Sequence, residues 1–160
     1  MDERIIAVTG HRPEKLGGYD VEAQKLLVKI AERMLNAFLP TLVYTGMALG
    51  WDQAVARACI NNSVPFVAAI PFEGQEGRWN AHSQKIYNLI LDRAERVVVV
   101  SEGGFSVDKM MLRNKYMVDN AELLVAMWDG SKGGTSNCVT YAQSVNCPVE
   151  NIYDWYNEIK

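Results

Sequence analysis

Two glycine-punctuated stretches carry the residues best suited to hold a negatively charged group. The first, Thr45-Gly46-Met47-Ala48-Leu49-Gly50-Trp51-Asp52, runs into the alanine-rich segment Asp52 to Ala58. The second, Asp129-Gly130-Ser131-Lys132-Gly133-Gly134-Thr135-Ser136, also runs into a helical segment. A glycine turn that feeds a helix leaves backbone N–H groups bare at the positive end of the helix dipole, where phosphate or another anion binds. Asp52 suits a first helical turn by its charge, and Thr135 and Ser136 offer hydroxyls and N-cap chemistry. A tight β–α connection would use the same glycines for strain relief alone. Neither stretch is a Walker A sequence or a G-x-G-x-x-G fingerprint.

Cations and aromatics near these turns extend the candidate set. Arg12 follows the first apolar run directly, and Arg113 with Asn114 lies among Met110, Met111 and Met117, which read as core. A guanidinium in such company needs a partner, and Asp119, Asp52 or a ligand phosphate would serve. Lys132 reads as solvated. Trp79 would either stack on a base or pack over the sheet edge. Catalytic groups are sparse. His11 and His82 are the only histidines, and neither has a visible Ser or Cys nucleophile beside it. Candidate carboxylates are Asp52, Glu73, Glu76, Asp119 and Asp129; in an enzyme, Asp52, Glu76 and Asp119 are the ones to supply the acid, base or nucleophile. Cys59, Cys138 and Cys147 are odd in number and far apart, with no C-x-x-C, which argues against a disulfide framework or a zinc site.

The elements that must position these residues alternate. Arg4 to Thr9 is a β-branched strand stopped by Gly10 and reads as buried on both faces. Apolar residues then recur at Leu26, Leu27, Ile30, Met34, Leu35 and Phe38, a helical spacing from Val21 that Pro40 closes. Leu42 to Tyr44 is a second strand. Val64 to Ile70 is a third, ended by Pro71-Phe72, and an irregular stretch runs from Glu73 to Asn80. A helix over His82 to Ala94 turns Ile86, Leu89 and Ile90 inward. Arg96 to Ser101 is the clearest strand, followed by a helix over Val107 to Asn120 and a strand over Leu123 to Trp128. The second glycine turn and its helix end near Val145, and Val149 to Ile152 is a sixth strand. Buried strands alternating with helices predict an α/β chain: a Rossmann-like, mostly parallel sheet of about six strands with helices on both faces.

In such a sheet, ligands bind beyond the carboxyl ends of the strands. Five predicted strand ends carry glycine within a few residues, whereas the helix-to-strand loops at Asn36 to Pro40, Asn61 to Ser63 and Asp92 to Glu95 are plainer. That one-sidedness places the candidate site on the carboxyl edge. The 160 residues are expected to form a single domain with a substantial core. A hydrophobic fraction of 49% and a formal charge of -3 are ordinary for a soluble protein and give no global pull toward nucleic acid. No signal peptide is visible, and no apolar run nears the roughly 18 residues a membrane span requires. The expected compartment is cytoplasmic.

Several of these residues together resemble a family. Val8-Thr9-Gly10-His11-Arg12-Pro13, then Leu16-Gly17, is similar to the T-G-[aromatic]-[basic]-P…L-G opening of YpsA-like proteins, in the SLOG superfamily related to DprA and the LOG enzymes. Thr45-Gly46 through Leu49-Gly50 resembles that family's second-strand motif. Ile70-Pro71-Phe72, Gln75-Glu76 and Trp79 resemble its P-F…Q-E…W segment, and Arg113-Asn114 through Asp119 its [basic]-N-x-[aromatic]-x-[aliphatic]-D helix. Asp129-Gly130 and Gly133-Gly134-Thr135 match its final phosphate-facing turn. The resemblance runs from about Ile6 to Gln143.

It implies a Rossmann-like fold that binds a nucleotide or nucleotide-derived, ADP-ribose-like ligand at the strand ends, as a sensor, carrier or sequestering protein. The implied ligand-binding set is Thr9, Gly10, Arg12, Thr45, Gly46, Met47, Gly50, Asp52, Pro71, Phe72, Trp79, Arg113, Asn114, Asp129, Gly130, Gly133, Gly134, Thr135 and Ser136. Phosphates would meet Gly46 to Gly50 and Gly133 to Thr135. No other cofactor and no metal is implied. An N-glycosidic-bond hydrolase of the LOG type is the alternative enzyme. The LOG motif P-G-G-x-G-T-x-x-E, however, has its catalytic glutamate where this chain has Cys138, and its first glycines where this chain has Ser131-Lys132. The similarity of Thr45 to Asp52 to the DprA motif S-G-x-A-x-G-[aliphatic]-D keeps single-stranded DNA as a lesser candidate partner. A homo-oligomer is possible for so small a Rossmann-like chain.

Overall fold

A computed structural model describes residues 2–160. Six strands, β1 (Ile5–Gly10), β2 (Leu42–Thr45), β3 (Phe66–Phe72), β4 (Arg96–Ser101), β5 (Leu123–Met127) and β6 (Val149–Asn151), form one sheet in the order β4-β3-β2-β1-β5-β6. Every neighbouring pair is parallel. The helices are α1 (Val21–Phe38), α2 (Trp51–Asn61), α3 (Ala81–Leu91), α4 (Val107–Asp119), α5 (Gly134–Ser144) and α6 (Tyr153–Ile159). This is a Rossmann-like α/β fold.

Alternation of side chains along each strand sorts the core into two layers. Ile6, Val8, Val43, Phe66, Ile70, Val125 and Met127 pack with α1, α2, α3 and α6. Ala7, Tyr44, Val67, Ala69, Leu124 and Ala126 pack with α4 and α5. The alanines on the second face let those two helices lie close over the sheet centre.

The strand order sets where a crevice can open. From β1 the chain steps outward through β2 and β3 to β4, then returns across the sheet to lay β5 on the other side of β1. Successive connections therefore diverge between β1 and β5, and the loops leaving those two carboxyl ends part from each other.

Helix starts distinguish the elements further. Asp20, Asn80 and Ser106 cap α1, α3 and α4, each side chain accepting from a backbone N–H three residues on. The helices α2 and α5 instead begin at Gly50 and Gly133, with no side-chain cap. Both glycine starts lie on the carboxyl edge of the sheet.

Some boundaries and faces differ from expectation. The strand β3 starts at Phe66 and carries through Pro71 to Phe72, with all seven residues buried, so the proline lies inside the strand instead of ending it. Leu89 is 57% exposed, not inward; the inner stripe of α3 runs through Ile86, Tyr87 and Ile90, and Leu89 falls one residue step, about 100°, to its side. The apolar strand β4 is an edge strand with Val97 and Val99 exposed, because no helix fully covers that end of the sheet. Of the α4 methionines only Met117 is buried; Met110 and Met111 are half-buried. Among the described residues, no helix is long and apolar enough to cross a membrane.

Candidate functional site

A cavity of about 410 Å³ opens at the β1/β5 divergence. Its walls are the loop after β1 (Thr9 to Arg12, Glu14 and Lys15), the loop after β5 (Ser131 to Thr135), Ala48 and Asp52 from the β2–α2 connection, and Met110, Arg113 and Asn114 from α4. The four cations Arg12, Lys15, Arg113 and Lys132 face two carboxylates, Glu14 and Asp52, so this cavity is locally positive within a chain of net charge -3.

The α5 start forms the open wall. Gly130 and Gly133 adopt φ of +92° and +145°, which turn the backbone in a way L side chains rarely follow. A methyl group built on Gly133 or Gly134 would touch nothing. The first N–H groups of any helix lack an intrahelical acceptor, and with no capping side chain those of Gly134, Thr135 and Ser136 are left for a ligand or solvent.

The β2–α2 turn is used differently from what its glycines lead one to expect. Gly50 has φ +94°, and a Cβ there would lie 2.6 Å from the His11 carbonyl oxygen. Trp51 N donates to that same carbonyl at 3.3 Å. Met47 N reaches Thr45 Oγ1 at 3.4 Å, and Ala48 N reaches Asp52 Oδ2 at 3.4 Å. Thr45 Oγ1 donates to the Asp52 carbonyl at 2.8 Å, and Gln53 Nε2 to the Met47 carbonyl at 3.2 Å. The amides of Met47, Ala48 and Trp51 thus serve the protein, and the turn's contribution to the cavity is Ala48 and Asp52.

Arg113 is held hard against that turn. Its Nη1 donates to the Gly46 carbonyl at 2.6 Å and to Ala69 at 3.4 Å, and its Nε to Asn114 Oδ1 at 3.0 Å. These bonds do not use Nη2. Only a glycine at 46 permits the approach, since a Cβ there would collide with the guanidinium. Burial lowers the Arg113 pKa and the Asp52 charge opposes that shift. The guanidinium stays charged.

Asp52 is the least satisfied group at the site. It is 6% exposed; Oδ2 has only the long Ala48 bond, and Oδ1 is buried with no partner. Burial raises its pKa from 3.8 to about 6, against the attraction of Arg113. Among the described residues, no direct ion pair joins the two. A buried carboxyl with one unpartnered oxygen at the wall of a positive cavity is a polar group in want of a hydrogen-bonding partner.

The two flanking loops are stitched together. His11 Nε2 lies 2.9 Å from Asp129 Oδ1 and 3.0 Å from Asp129 N. A proton on Nε2 donates to the carboxylate; without it, Nε2 accepts from the backbone N–H. Burial lowers the His11 pKa despite the Asp129 carboxylate. Hydrogen bonds from the Ser131 hydroxyl and backbone, then the His11 charge, bring Asp129 down to about 2. Lys15 Nζ donates to Ser131 Oγ.

Of the residues singled out in the sequence, the cavity gathers Thr9, Gly10, Arg12, Asp52, Arg113, Asn114, Gly133, Gly134 and Thr135. Thr45, Gly46, Met47 and Gly50 stand behind it as the frame just described. Gly10 also has a framing part, since a Cβ there would lie 2.5 Å from the Trp51 ring. Asp129 and Gly130 shape the β5 loop, and Ser136 completes the first turn of α5. Pro71, Phe72 and Trp79 do not line the cavity: Pro71 lies within β3, Phe72 at its last position meets Phe105 edge to face, and Trp79 packs edge to face on Tyr87 at 5.3 Å. Asp119 ends α4, where its carboxylate accepts from Tyr141 rather than pairing with Arg113. Glu76 has one buried, unpartnered carboxylate oxygen and does not line the cavity. His11, Lys15 and Ser131 were not singled out as ligand-binding. His11 is adjacent to Arg12, which was a usable signal; the Lys15–Ser131 bond spans 116 positions and leaves no local trace. Among the described residues, no cluster of His, Cys, Asp and Glu could hold a metal ion.

Comparison with known proteins agrees with the fold. The family model YpsA, of the YspA SLOG family, matches residues 6–155. The SPbeta prophage-derived protein YoqJ of Bacillus subtilis is 34% identical over 134 residues, 73% of this chain and 78% of that one. Among solved structures, DNA processing protein A (DprA) of Streptococcus pneumoniae superposes with a TM-score of 0.65 at 16% identity, covering 93% of this chain but half of that one. The molybdenum cofactor carrier protein of Chlamydomonas reinhardtii superposes with a TM-score of 0.60 at 14% identity, covering 94% of this chain and 76% of that one.

Proposed function

We propose that this chain, which belongs to the YpsA family of SLOG proteins, binds a nucleotide or nucleotide-derived ligand such as an ADP-ribose-like molecule in the cavity between β1 and β5. The observation that carries this reading is the uncapped start of α5 opening into a cavity ringed by Arg12, Lys15, Arg113 and Lys132. Free N–H groups at a helix start and converging cations are the chemistry of phosphate recognition. The cavity volume falls within the usual few-hundred-Å³ range for small-molecule sites. Phosphate contacts belong to Gly133, Gly134, Thr135 and Ser136, with Lys15, Lys132 and Arg12 at the mouth and Arg113 fixed in the wall.

A binding role, as sensor, carrier or sequestering protein, fits better than glycosidic cleavage. Cys138, at the position of the LOG glutamate, is fully buried on α5 and burial raises its thiol to about 12, so it offers no acid or base to the cavity. The fold neighbour that carries a molybdenum cofactor supports a carrier role on this architecture. One further DprA structure on this fold, from Helicobacter pylori, concerns single-stranded DNA binding; here the cations converge on one cavity, which favours a small ligand over a strand.

Thermal shift and calorimetry with a panel of nucleotides and ADP-ribose, followed by mass spectrometry, test the proposal. The expected result is saturable binding with the ligand recovered unchanged. Released free base would move the reading to a hydrolase. Salt-sensitive binding of oligonucleotides with no response to mononucleotides would move it to DNA.

A further inference from the structure

A carboxyl group in the wall of an anion site opposes phosphate binding unless it meets a donor elsewhere on the same ligand. Asp52 is more than nine-tenths buried and borders the cavity, and Oδ1 has no partner. Its only recorded bond, from Ala48 N to Oδ2, is 3.4 Å long. Rotation about the terminal torsion of an aspartate is soft and roughly two-fold, so the two oxygens exchange places at the cost of the long Ala48 bond. Position adds a second constraint. Asp52 comes from the connection after β2 and the open N–H groups from the start of α5 after β5, with β1 between those strands. The strands that carry them are two spacings apart, on the order of 10 Å. A bare phosphate does not bridge that gap, whereas a sugar phosphate does.

We infer that Asp52 accepts a hydrogen bond from a ribose hydroxyl of the ligand, so that the cavity selects ribonucleotides over nucleotides lacking the 2′- and 3′-hydroxyls. This rests on the nucleotide-binding reading and names the part of the ligand that Asp52 reads. Phosphate at α5 sets the ligand's register, and Asp52 tests the sugar. A ligand without the hydroxyl leaves the buried carboxyl as unpaired as it is in the free protein, and a carboxylate acceptor lost in this way weakens binding about 10- to 100-fold.

Calorimetry on the purified protein with AMP, 2′,3′-dideoxy-AMP, IMP and inorganic phosphate tests the inference. Expected are dideoxy-AMP binding about 10- to 100-fold weaker than AMP, and IMP equal to AMP, since IMP keeps the sugar and loses the exocyclic amine. The variant Asp52→Ala should bind AMP and dideoxy-AMP alike, and its circular dichroism and thermal unfolding report whether the fold is intact. Equal affinity of the wild-type protein for AMP and dideoxy-AMP overturns the inference and leaves nucleotide binding standing. A loss with IMP alone assigns Asp52 to the base and also overturns it. Inorganic phosphate binding as well as AMP overturns it too. No binding of any phosphorylated probe, ADP-ribose included, removes both the inference and the reading beneath it.

Discussion

Replacing Asp52 by asparagine should stabilise the protein at neutral pH, and the amount can be worked from the site. Burial lifts the carboxyl from 3.8 to about 6 even with the Arg113 charge attracting it. An acid whose pKa is raised by folding holds its proton more tightly in the folded state. Its favourable contribution is present below the ordinary value near 3.8 and is lost as pH rises through about 6. At 1.36 kcal/mol per pH unit, a rise from 3.8 to about 6 means that ionised Asp52 costs about 3 kcal/mol at pH 7.5. Asparagine has the shape of the protonated form and does not titrate. Urea unfolding of wild type and Asp52→Asn should give similar stabilities near pH 4. The variant should gain up to about 1.4 kcal/mol per pH unit between there and pH 6, and the difference should level off at about 3 kcal/mol above that. The groups that the Asp52 charge acts on, Arg113 and Cys138, keep their protons throughout this range, so the difference isolates Asp52. A variant several kcal/mol less stable than wild type at pH 7.5 would refute the reasoning, because it would mean that the Asp52 charge is the counter-ion without which buried Arg113 is not tolerated.

Further outcomes follow from individual contacts. Gly46→Ala should lower stability by about 1–3 kcal/mol in denaturant unfolding, since its methyl collides with the Arg113 guanidinium; Gly134→Ala, with nothing in reach of its methyl, should stay within about 0.5 kcal/mol of wild type. The double variant Lys15→Gln, Lys132→Gln should fold normally, bind AMP more weakly and show a flatter dependence of affinity on salt in calorimetry. Asp129→Asn removes a carboxylate that raises the His11 pKa, so the His11 titration seen by proton NMR should move to lower pH; an unchanged titration would show that the pair is not formed in solution.

The fold was legible from strand and helix periodicity because buried parallel strands are continuous apolar runs, and five of the six helices carry a visible start or stop. Where reading failed, the cause was tertiary. Arg96 to Ser101 is the clearest strand by its valines and lies at the sheet edge, since composition does not tell an edge strand from an interior one. Leu89 reads as inward by its hydrophobicity, while the geometry of α3 gives that place to Tyr87. At the site, the residues adjacent to strand ends were legible: Thr9, Gly10, Arg12, Asp52 and Gly133 to Thr135 all reach the cavity. The stitching of His11 to Asp129 and of Lys15 to Ser131 joins residues more than a hundred positions apart and was not.

The two glycine turns illustrate why equal motifs need not have equal roles. Both follow a strand, both precede a helix, and both helices lack a capping side chain. What separates them is their distance from the β1/β5 divergence, which chain order alone does not disclose. The turn after β5 borders the crevice, so its glycines stay clear of neighbours and its N–H groups stay free. The turn after β2 lies behind the β1 loop, so Gly50 is pressed to the His11 backbone and Gly46 to Arg113. Its glycines are there for close packing. That packing in turn anchors Arg113 and drives Asp52 into the wall without a partner for Oδ1. One turn therefore supplies the open amides and the other the buried, unsatisfied carboxyl. A ligand with an anionic end and a hydroxyl-bearing middle answers both, which a phosphate alone or a hydroxylated sugar alone does not.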